Sequence, residues 1–321
     1  MIRLLLLVSL TTLLSAKYTN CEFQNQNYTD ICEKVVKKGV SYKYANQFLL
    51  SYFKTKKFDE VSWKYLQPRH IEKHRENEKK ANNVLVKYIP DIVKNVKKYK
   101  KVYDKAEEKY GVNREIIAAI LMKETKLDKI KPTHDAFVVF NTIVVRTDPK
   151  TSREKWLMKM GKTNMATIIH YCYNQGIRPN NCNLPSSYAG AVGIPQFMPN
   201  SFIYADSFTN STPDLTKMED AILSVAKFLN KKAGFDTLIK WSKFPNIPQI
   251  EAEWYEYAFT HKDASFVYEE SKNGKKYNCF SKGKKELQIM KEYTKKIMRY
   301  NNSSNYAVGV IRLAYDTNRN K

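Results

Sequence analysis

Glycine and proline are scarce, 10 and 11 among 321 residues. That excludes collagen-like and low-complexity architectures and leaves few places where a helix has to break. Histidine is rarer still, with five scattered copies, and no Cys-x-x-Cys occurs, so the ligand spacing of a structural zinc is missing and no metal is expected. Acidic residues are outnumbered 32 to 55 by lysine and arginine, a formal net charge of +23. Such a surface suits nucleic acid, an anionic envelope or an acidic polymer, and solvated lysines account for it equally well. There is no internal repeat. The one long hydrophobic run, Leu4 to Leu14, is too short to span a bilayer, which takes roughly 20 residues.

That run follows Met1-Ile2-Arg3 and ends at Ser15-Ala16, the pattern of a cleavable secretory signal peptide. Tyr18-Thr19-Asn20 before Cys21 lacks the small residues of a lipoprotein signal. The expected mature protein is exported, periplasmic and without a stable membrane anchor, and nucleic acid drops out as a partner. Five cysteines fit export. Cys21 with Cys32, and Cys172 with Cys182, bracket short polar loops and are the expected disulfides, with Cys279 left over.

Helical spacing dominates the rest. Tyr44, Phe48, Leu49 and Tyr52 recur at three and four positions, and a polar face overlies Val84, Val86, Ile89, Val93, Val96 and Tyr103. Pro90 interrupts this second run and starts a new helix. Lys272-Asn273-Gly274-Lys275, between Phe266-Val267-Tyr268 and Tyr277 to Phe280, predicts a small β-hairpin near the C-terminus of a mainly α fold.

Three segments carry chemistry. In Tyr110 to Thr125, Asn113 is a helix cap and Glu115 lies in the first turn. Glu124 follows Ile117, Ile120 and Leu121 on one face, with Leu127 continuing it. Burial raises a carboxyl's pKa, and a protonated acid in an apolar cleft is what a glycosidic leaving oxygen needs. The plainer alternative is a solvated glutamate at a helix end. Asp128, four residues on, suits capping better than a second catalytic role, and Asp135 is most simply a helix cap. In Ser186 to Phe202, small residues (Ala189, Gly190, Ala191, Gly193) allow close approach, and Gln196 can donate to and accept from an N-acetyl sugar. Tight helix–loop packing explains this segment equally well. In the third, Tyr300 and Asn301 precede a final helix capped by Ser303 or Asn302.

Together the three segments resemble the lytic murein transglycosylases of the B type. The family's helix opens with Tyr-Gly-Val and carries Glu-Thr, here Tyr110-Gly111-Val112 and Glu124-Thr125. Its second motif is matched by Ser187 through Ser201, and its Arg-Tyr-Asn-x-Ser by Arg299 to Ser303, followed by Tyr306-Ala307. Asp220 to Ala226 resembles the helix that follows the second motif.

The resemblance implies a lysozyme-like α fold and cleavage of the β-1,4 bond between N-acetylmuramic acid and N-acetylglucosamine without added water, so that 1,6-anhydromuramic products form. It makes Glu124 the acid and then the base, and Ser187, Tyr188, Gln196, Tyr300 and Asn301 the residues that hold substrate. It needs no cofactor. Its partners are peptidoglycan glycan strands and, further, envelope proteins. The implied organisation is a signal peptide at 1–16 and an N-terminal helical segment at 17–85. A catalytic core at 86–235 follows, divergent at 135–183, and then a C-terminal part at 236–321 with the hairpin and the Arg-Tyr-Asn motif.

Two departures stand out. Pro195 replaces the family's frequent glycine before Gln196. Some members also carry a calcium loop after the second motif; Asp206, Asn210 and Asp214 resemble it, but the glycine turn and closing glutamate are missing, so calcium is not expected. Two rival readings are a lysozyme-type muramidase with Asp135 or Asp148 as second carboxylate, and a catalytically silent wall-binding protein.

Overall fold

A computed structural model of the chain describes residues 20–55, 58–244, 269–272, 275–278 and 292–321. The expected signal peptide, Cys279 and the apolar flanks of the expected hairpin lie outside them. Helix dominates the described residues, and they form two compact units interleaved in sequence rather than consecutive segments. The first takes the chain up to Leu66, then Pro132–Val192 and Phe197–Asn200. The second takes Gln67–Lys131, Gly193–Gln196 and the chain from Ser201 onward.

In the first unit, α1 (Gln26–Val36), α2 (Tyr42–Thr55) and α3 (Glu60–Tyr65) are joined by two later helices, described below. Asp59 caps α3 by accepting from Ser62 N at 2.8 Å, and its other oxygen meets His134 Nδ1 at 2.6 Å. Both expected disulfides are present. Cys21–Cys32 (Cα–Cα 5.7 Å) ties the entry segment to α1, and Cys172–Cys182 (6.0 Å) closes the loop after the longest helix of this unit.

The second unit runs α4 (Pro68–Leu85), α5 (Ile89–Lys98), α6 (Lys100–Tyr110) and α7 (Arg114–Thr125). Pro68 occupies the first turn of α4 and Pro90 that of α5, where a missing N–H costs nothing. Back in the first unit, β1 (His134–Asp135) leads into α8 (Ala136–Arg146), whose cap Asp135 accepts from Val138 N at 3.0 Å. Next comes α9 (Ser152–Asn174), opened by the capping box of Thr151 and Glu154, and then β2 (Pro185–Ser186). Helices α8 and α9 pack together, and α1 lies on α9. The second unit resumes with α10 (Met218–Ala233), β3 (Glu269–Lys272), β4 (Lys275–Asn278) and α11 (Ser304–Arg319).

The β content follows expectation only in part. A two-residue antiparallel sheet pairs His134 with Ser186 and Asp135 with Pro185, far from the C-terminus, and two residues a side leave no periodicity to read. Strands β3 and β4 also pair antiparallel, Lys272 opposite Lys275, on either side of 273–274.

Helix α7 is the axis of the second unit. Residues 115–122 are all buried, so the helix has no solvent face, and α5, α6, α10 and α11 pack against it. The single apolar stripe expected from the sequence is thus a helix enclosed on all sides. Each of its larger apolar side chains contributes on the order of 1.5–3 kcal/mol by burial. That fixes its axis and the position of its last turn.

Replacing Cys172 and Cys182 by serine is expected to lower stability by about 2–3 kcal/mol, the chain-entropy value for a loop of this size. Chemical unfolding with and without reductant checks it: reductant opens Cys21–Cys32 as well, so it should destabilise the parent chain by about this amount more than it destabilises the variant. No difference between parent and variant under oxidising conditions would mean that the bond adds nothing.

Candidate active site

The helix that carries Glu124 is anchored at both ends. At its start, Asn113 occupies the cap position but turns its side chain to the backbone of Ile239, accepting from the N–H at 2.6 Å and donating to the carbonyl at 3.1 Å. Glu107 does the capping, accepting from Arg114 N at 2.9 Å. Glu115 is buried, with Lys321 and Trp241 as partners. At its end the helix stops at Thr125, one residue after Glu124. Lys126, Leu127 and Asp128 all take left-handed backbone conformations (φ 49°, 56° and 72°). Leu127 therefore does not continue the helical face. Its N–H closes on Leu121 O at 3.1 Å, while Asp128 N–H goes to Thr125 Oγ1 and its carboxylate pairs with Lys131. Asp128 is turned into an exposed ion pair and is not among the groups that shift Glu124. Three successive non-glycine residues in this region cost energy, and such strain gathers where geometry is functional.

Glu124 is half-buried, with surface enough to meet a ligand and a carboxyl deep among protein atoms. Tyr306 Oη donates to its Oε1 at 2.6 Å. Burial pushes the carboxyl up to about 7, the Tyr306 hydrogen bond and the Lys123 charge pull it down, and the Glu78 carboxylate pushes it up further. Lys123 Nζ lies 5.0 Å from the Tyr306 ring centroid and donates to Asn82 Oδ1 at 2.6 Å. Its own pKa is lowered, chiefly by burial. Gly309 on α11 makes room for this pair, because a Cβ there would overlap Asn82 and lie 2.8 Å from Lys123 Nζ. Glu78 accepts from Ser303 Oγ at 2.5 Å, and Ser303 also caps α11 by accepting from Tyr306 N. The cap of the final helix thus fixes both the tyrosine and a charge that act on Glu124.

The segment 193–196 belongs to the same unit and is tied at every residue. Thr125 Oγ1 donates to Ile194 O at 3.2 Å, and Ile194 N to Leu215 O at 2.9 Å. Tyr300 Oη donates to Pro195 O at 2.5 Å, and its ring lies parallel to that of Tyr306, centroids 6.4 Å apart. Gly193 has φ 73°, and a Cβ there would sit 2.5 Å from that of Leu215. Gln196 is left-handed as well (φ 51°) and folds its amide back to Gly193 O at 2.9 Å. Its side-chain oxygen remains as an acceptor.

Of the residues expected from the sequence, Glu124, Gln196 and Tyr300 therefore stand in one unit. The Tyr300 hydroxyl is spent on the loop rather than turned to a ligand, and Asn301 is exposed beside it. Ser187 and Tyr188 are half-buried in the first unit. Ser187 accepts from Ala191 N and Gly190 N within a tight turn, and the Tyr188 ring lies 5.2 Å from that of Tyr65. Sequence reasoning did not assign Tyr306, Lys123, Asn82 or Glu78. Tyr306-Ala307 was visible as a motif, whereas Asn82 and Glu78 meet the start of α11 from 223 and 225 residues earlier and left no local signal.

The calcium loop does not fit its ion. Asp206 accepts from Lys109 Nζ at 2.8 Å and from Tyr110 Oη at 2.5 Å. Lys227 donates to Ala205 O at 2.9 Å and Lys105 to Phe208 O at 3.0 Å. Both Asp220 oxygens accept backbone N–H groups, from Phe208 and Asp214. Three ammonium groups thus stand at 205–208, one of them on Asp206 itself, where a hard cation would need uncommitted oxygens. Among the described residues no other His, Cys, Asp and Glu cluster could hold a metal.

Comparison with known proteins gives a family and a fold. The transglycosylase SLT domain family matches residues 23–315. In fold, the chain is similar to the soluble lytic transglycosylase SltB1 of Pseudomonas aeruginosa (TM-score 0.58, 20% identity, covering 92% of this chain and 99% of that one). It is similar also to the Escherichia coli lytic transglycosylase Slt35, solved with bulgecin A (0.55, 19%, 95% and 97%). A third is SltB3 of Pseudomonas aeruginosa, solved with NAG-anhNAM-pentapeptide (0.57, 15%, 90% and 78%). No curated protein matches by sequence.

Two outcomes follow from the Glu124 environment. A carboxyl raised from 4.5 to about 7 on folding favours the native state while protonated and loses that advantage as pH rises through both values. Glu124→Gln should therefore leave stability near pH 4 almost unchanged and raise it by roughly 1–3 kcal/mol at pH 8. Denaturant unfolding at the two pH values measures this, and equal effects at both would place the carboxyl at its ordinary pKa. Lys123→Met removes a positive charge and should move the basic limb of the kcat/KM–pH profile upward, with Lys123→Arg restoring it. A limb that stays in place would remove Lys123 from the control of Glu124.

Proposed function

The chain belongs to the transglycosylase SLT family, and from that premise we propose that it cleaves peptidoglycan without hydrolysis, between N-acetylmuramic acid and N-acetylglucosamine. The observation that carries the proposal is a single carboxyl, enclosed, held at one oxygen by Tyr306 and poised to be protonated up to about pH 7. With Oε1 occupied, the proton sits on the other oxygen. It passes to the glycosidic oxygen as the bond to the muramic C1 breaks, and N-acetylglucosamine departs as an alcohol. The positive charge left on the muramic ring is countered by the new carboxylate. That carboxylate then removes the proton of the muramic 6-hydroxyl, whose oxygen bonds to C1. Glu124 ends protonated as it began, and no water is consumed.

An acid that must also act as base works best with a pKa near the ambient pH, which the opposed effects on Glu124 provide. Lys123 and Tyr306 oppose its burial and keep it from becoming a permanently neutral acid. Gln196 offers an acceptor on the loop that Thr125 ties to the end of the same helix. Ser187, Tyr188 and Asn301 are assigned to the glycan by the family resemblance, and export to the periplasm belongs to the same proposal. SltB3, bound to a peptide-bearing anhydromuramyl fragment, supports peptidoglycan as the substrate class.

One observation favours a second reading. Glu78 is a second carboxylate whose field reaches Glu124, and a lysozyme-type muramidase needs one. The carboxylates first considered for that role are occupied elsewhere, Asp135 as a helix cap and Asp148 in an exposed pair with Lys150. Glu78 itself is bound to Ser303, which suits tuning better than attack.

Mass spectrometry of muropeptides released from purified sacculi separates the readings. The parent chain should give anhydro products. Glu124→Gln should lower release at least about a thousandfold while still folding, and Glu78→Gln should lower it by no more than about tenfold. Hydrated reducing ends that vanish with Glu78→Gln would establish the muramidase. Sacculus binding with no release by any form would leave a wall-binding protein.

A further inference from the structure

We propose that a lysine-lined concavity at the α5–α6 junction is a second, non-catalytic site for peptidoglycan, taking the carboxylate-bearing peptide stems rather than the scissile sugar. The proposal rests on the substrate class proposed above. The concavity encloses about 760 Å³. Lys97, Lys98, Lys100 and Lys101 stand on one side and Lys217 on the other, all exposed. Tyr99 and Phe208 supply half-buried ring surface between them.

The charge is not cancelled internally. Lys100 is paired with Asp104 and Lys217 lies 3.8 Å from Asp214, but Lys97 and Lys101 have no ion-pair partner among the described residues. Of the two acidic residues on the lining, Asp220 has both oxygens committed to backbone N–H groups, which leaves Glu219 as the lining carboxylate open to Lys97, Lys98 and Lys101. Sequence places the lysines there for a local reason. Helix α5 ends at Lys98 and α6 begins at Lys100, so two cations sit where a helix C-terminus favours them and two open the next helix across the single residue Tyr99.

The opposite wall is preorganised. Lys105, Lys109 and Lys227 fix the backbone and carboxylate of 205–208, and Lys105 Nζ also lies 5.1 Å over the Phe208 ring. Ser207, Thr209 and Ser211 hydroxyls form a closed triangle of 2.9–3.2 Å contacts, with Thr209 and Ser211 on the concavity. Fixed ring surface and hydroxyls flanked by exposed cations match a short peptide with several carboxylates. A rigid wall is wasted on a diffuse anionic surface such as a bilayer, which requires only charge.

Co-sedimentation with sacculi in a Glu124→Gln background tests this without turnover. Lys97→Gln/Lys101→Gln should weaken sacculus binding about five- to tenfold at low salt, less at high salt, and Lys97→Arg/Lys101→Arg should retain it. On glycan strands stripped of their stems by an amidase, which are no longer cross-linked and are therefore captured on immobilised protein instead of sedimented, all three proteins should bind alike. Equal binding of intact sacculi by all three would overturn the proposal. So would an equal loss on stripped strands, or a loss confined to vesicles of anionic phospholipid. Because sedimentation needs no bond cleavage, failure of the transglycosylase reading in the product assay would show itself separately.

Discussion

The structure around the candidate site depends on holding one ionisable carboxyl inside a helical body without letting its pKa drift out of use. An unopposed buried carboxylate costs several kcal/mol and would stay protonated. The Tyr306 hydroxyl at 2.6 Å supplies the opposition, and most of the surrounding arrangement serves to keep that hydroxyl in place. Tyr306 lies in the first turn of α11, whose cap, Ser303, is itself fixed by Glu78. Lys123 lies over its ring, seated by Asn82, and Gly309 one turn further along α11 leaves the space. Removing any of these would change how tightly Glu124 holds its proton before it changed the fold.

Helix α7 shows why the acid sits at an end and not in the middle. With residues 116–122 buried all round, a carboxyl within that stretch would have no route to a ligand. Placing it one residue before the helix stops keeps the electrostatic benefit of burial and opens one side. The three left-handed residues that follow turn the chain away at once. Thr125 completes the junction by joining the last helical turn to Ile194. The Glu-Thr pair thus couples the acid to the loop that presents Gln196.

Much of this was legible in the sequence, for identifiable reasons. Glu124 was visible because it follows an apolar run at helical spacing. Pro90 and Asp135 were legible because a proline and a capping carboxylate act on their immediate neighbours. What failed was long-range or conformational. Leu127 fits helical periodicity, yet nothing in Lys126-Leu127-Asp128 announces a left-handed turn, since none is glycine. Tyr300 reads as a residue aimed at substrate, and only the fold shows its hydroxyl committed to Pro195 O. Glu78 and Asn82, from the polar helix α4, carry no local mark of their contacts with the start of α11, 225 and 223 residues away. The two-residue sheet of His134–Asp135 with Pro185–Ser186 is too short for any period to appear.

Pro195 is a departure from the family pattern at the loop that carries Gln196, and its surroundings show no damage from it. A proline harms a loop when its missing N–H was needed or when the residue before it had to be helical. Neither applies here. The bonds that fix 193–196 use the N–H of Ile194 and of Gln196 and the carbonyls of Gly193, Ile194 and Pro195. None needs an N–H at 195. The proline ring instead restricts the backbone next to Gln196, whose left-handed conformation any freer residue would have to be held in by contacts alone. A stiffer loop with all its carbonyls engaged, beside an acid whose proton affinity is held near neutrality from four sides, is costly to maintain in a protein that only binds. The substitution is better understood as one more constraint on where the Gln196 amide points.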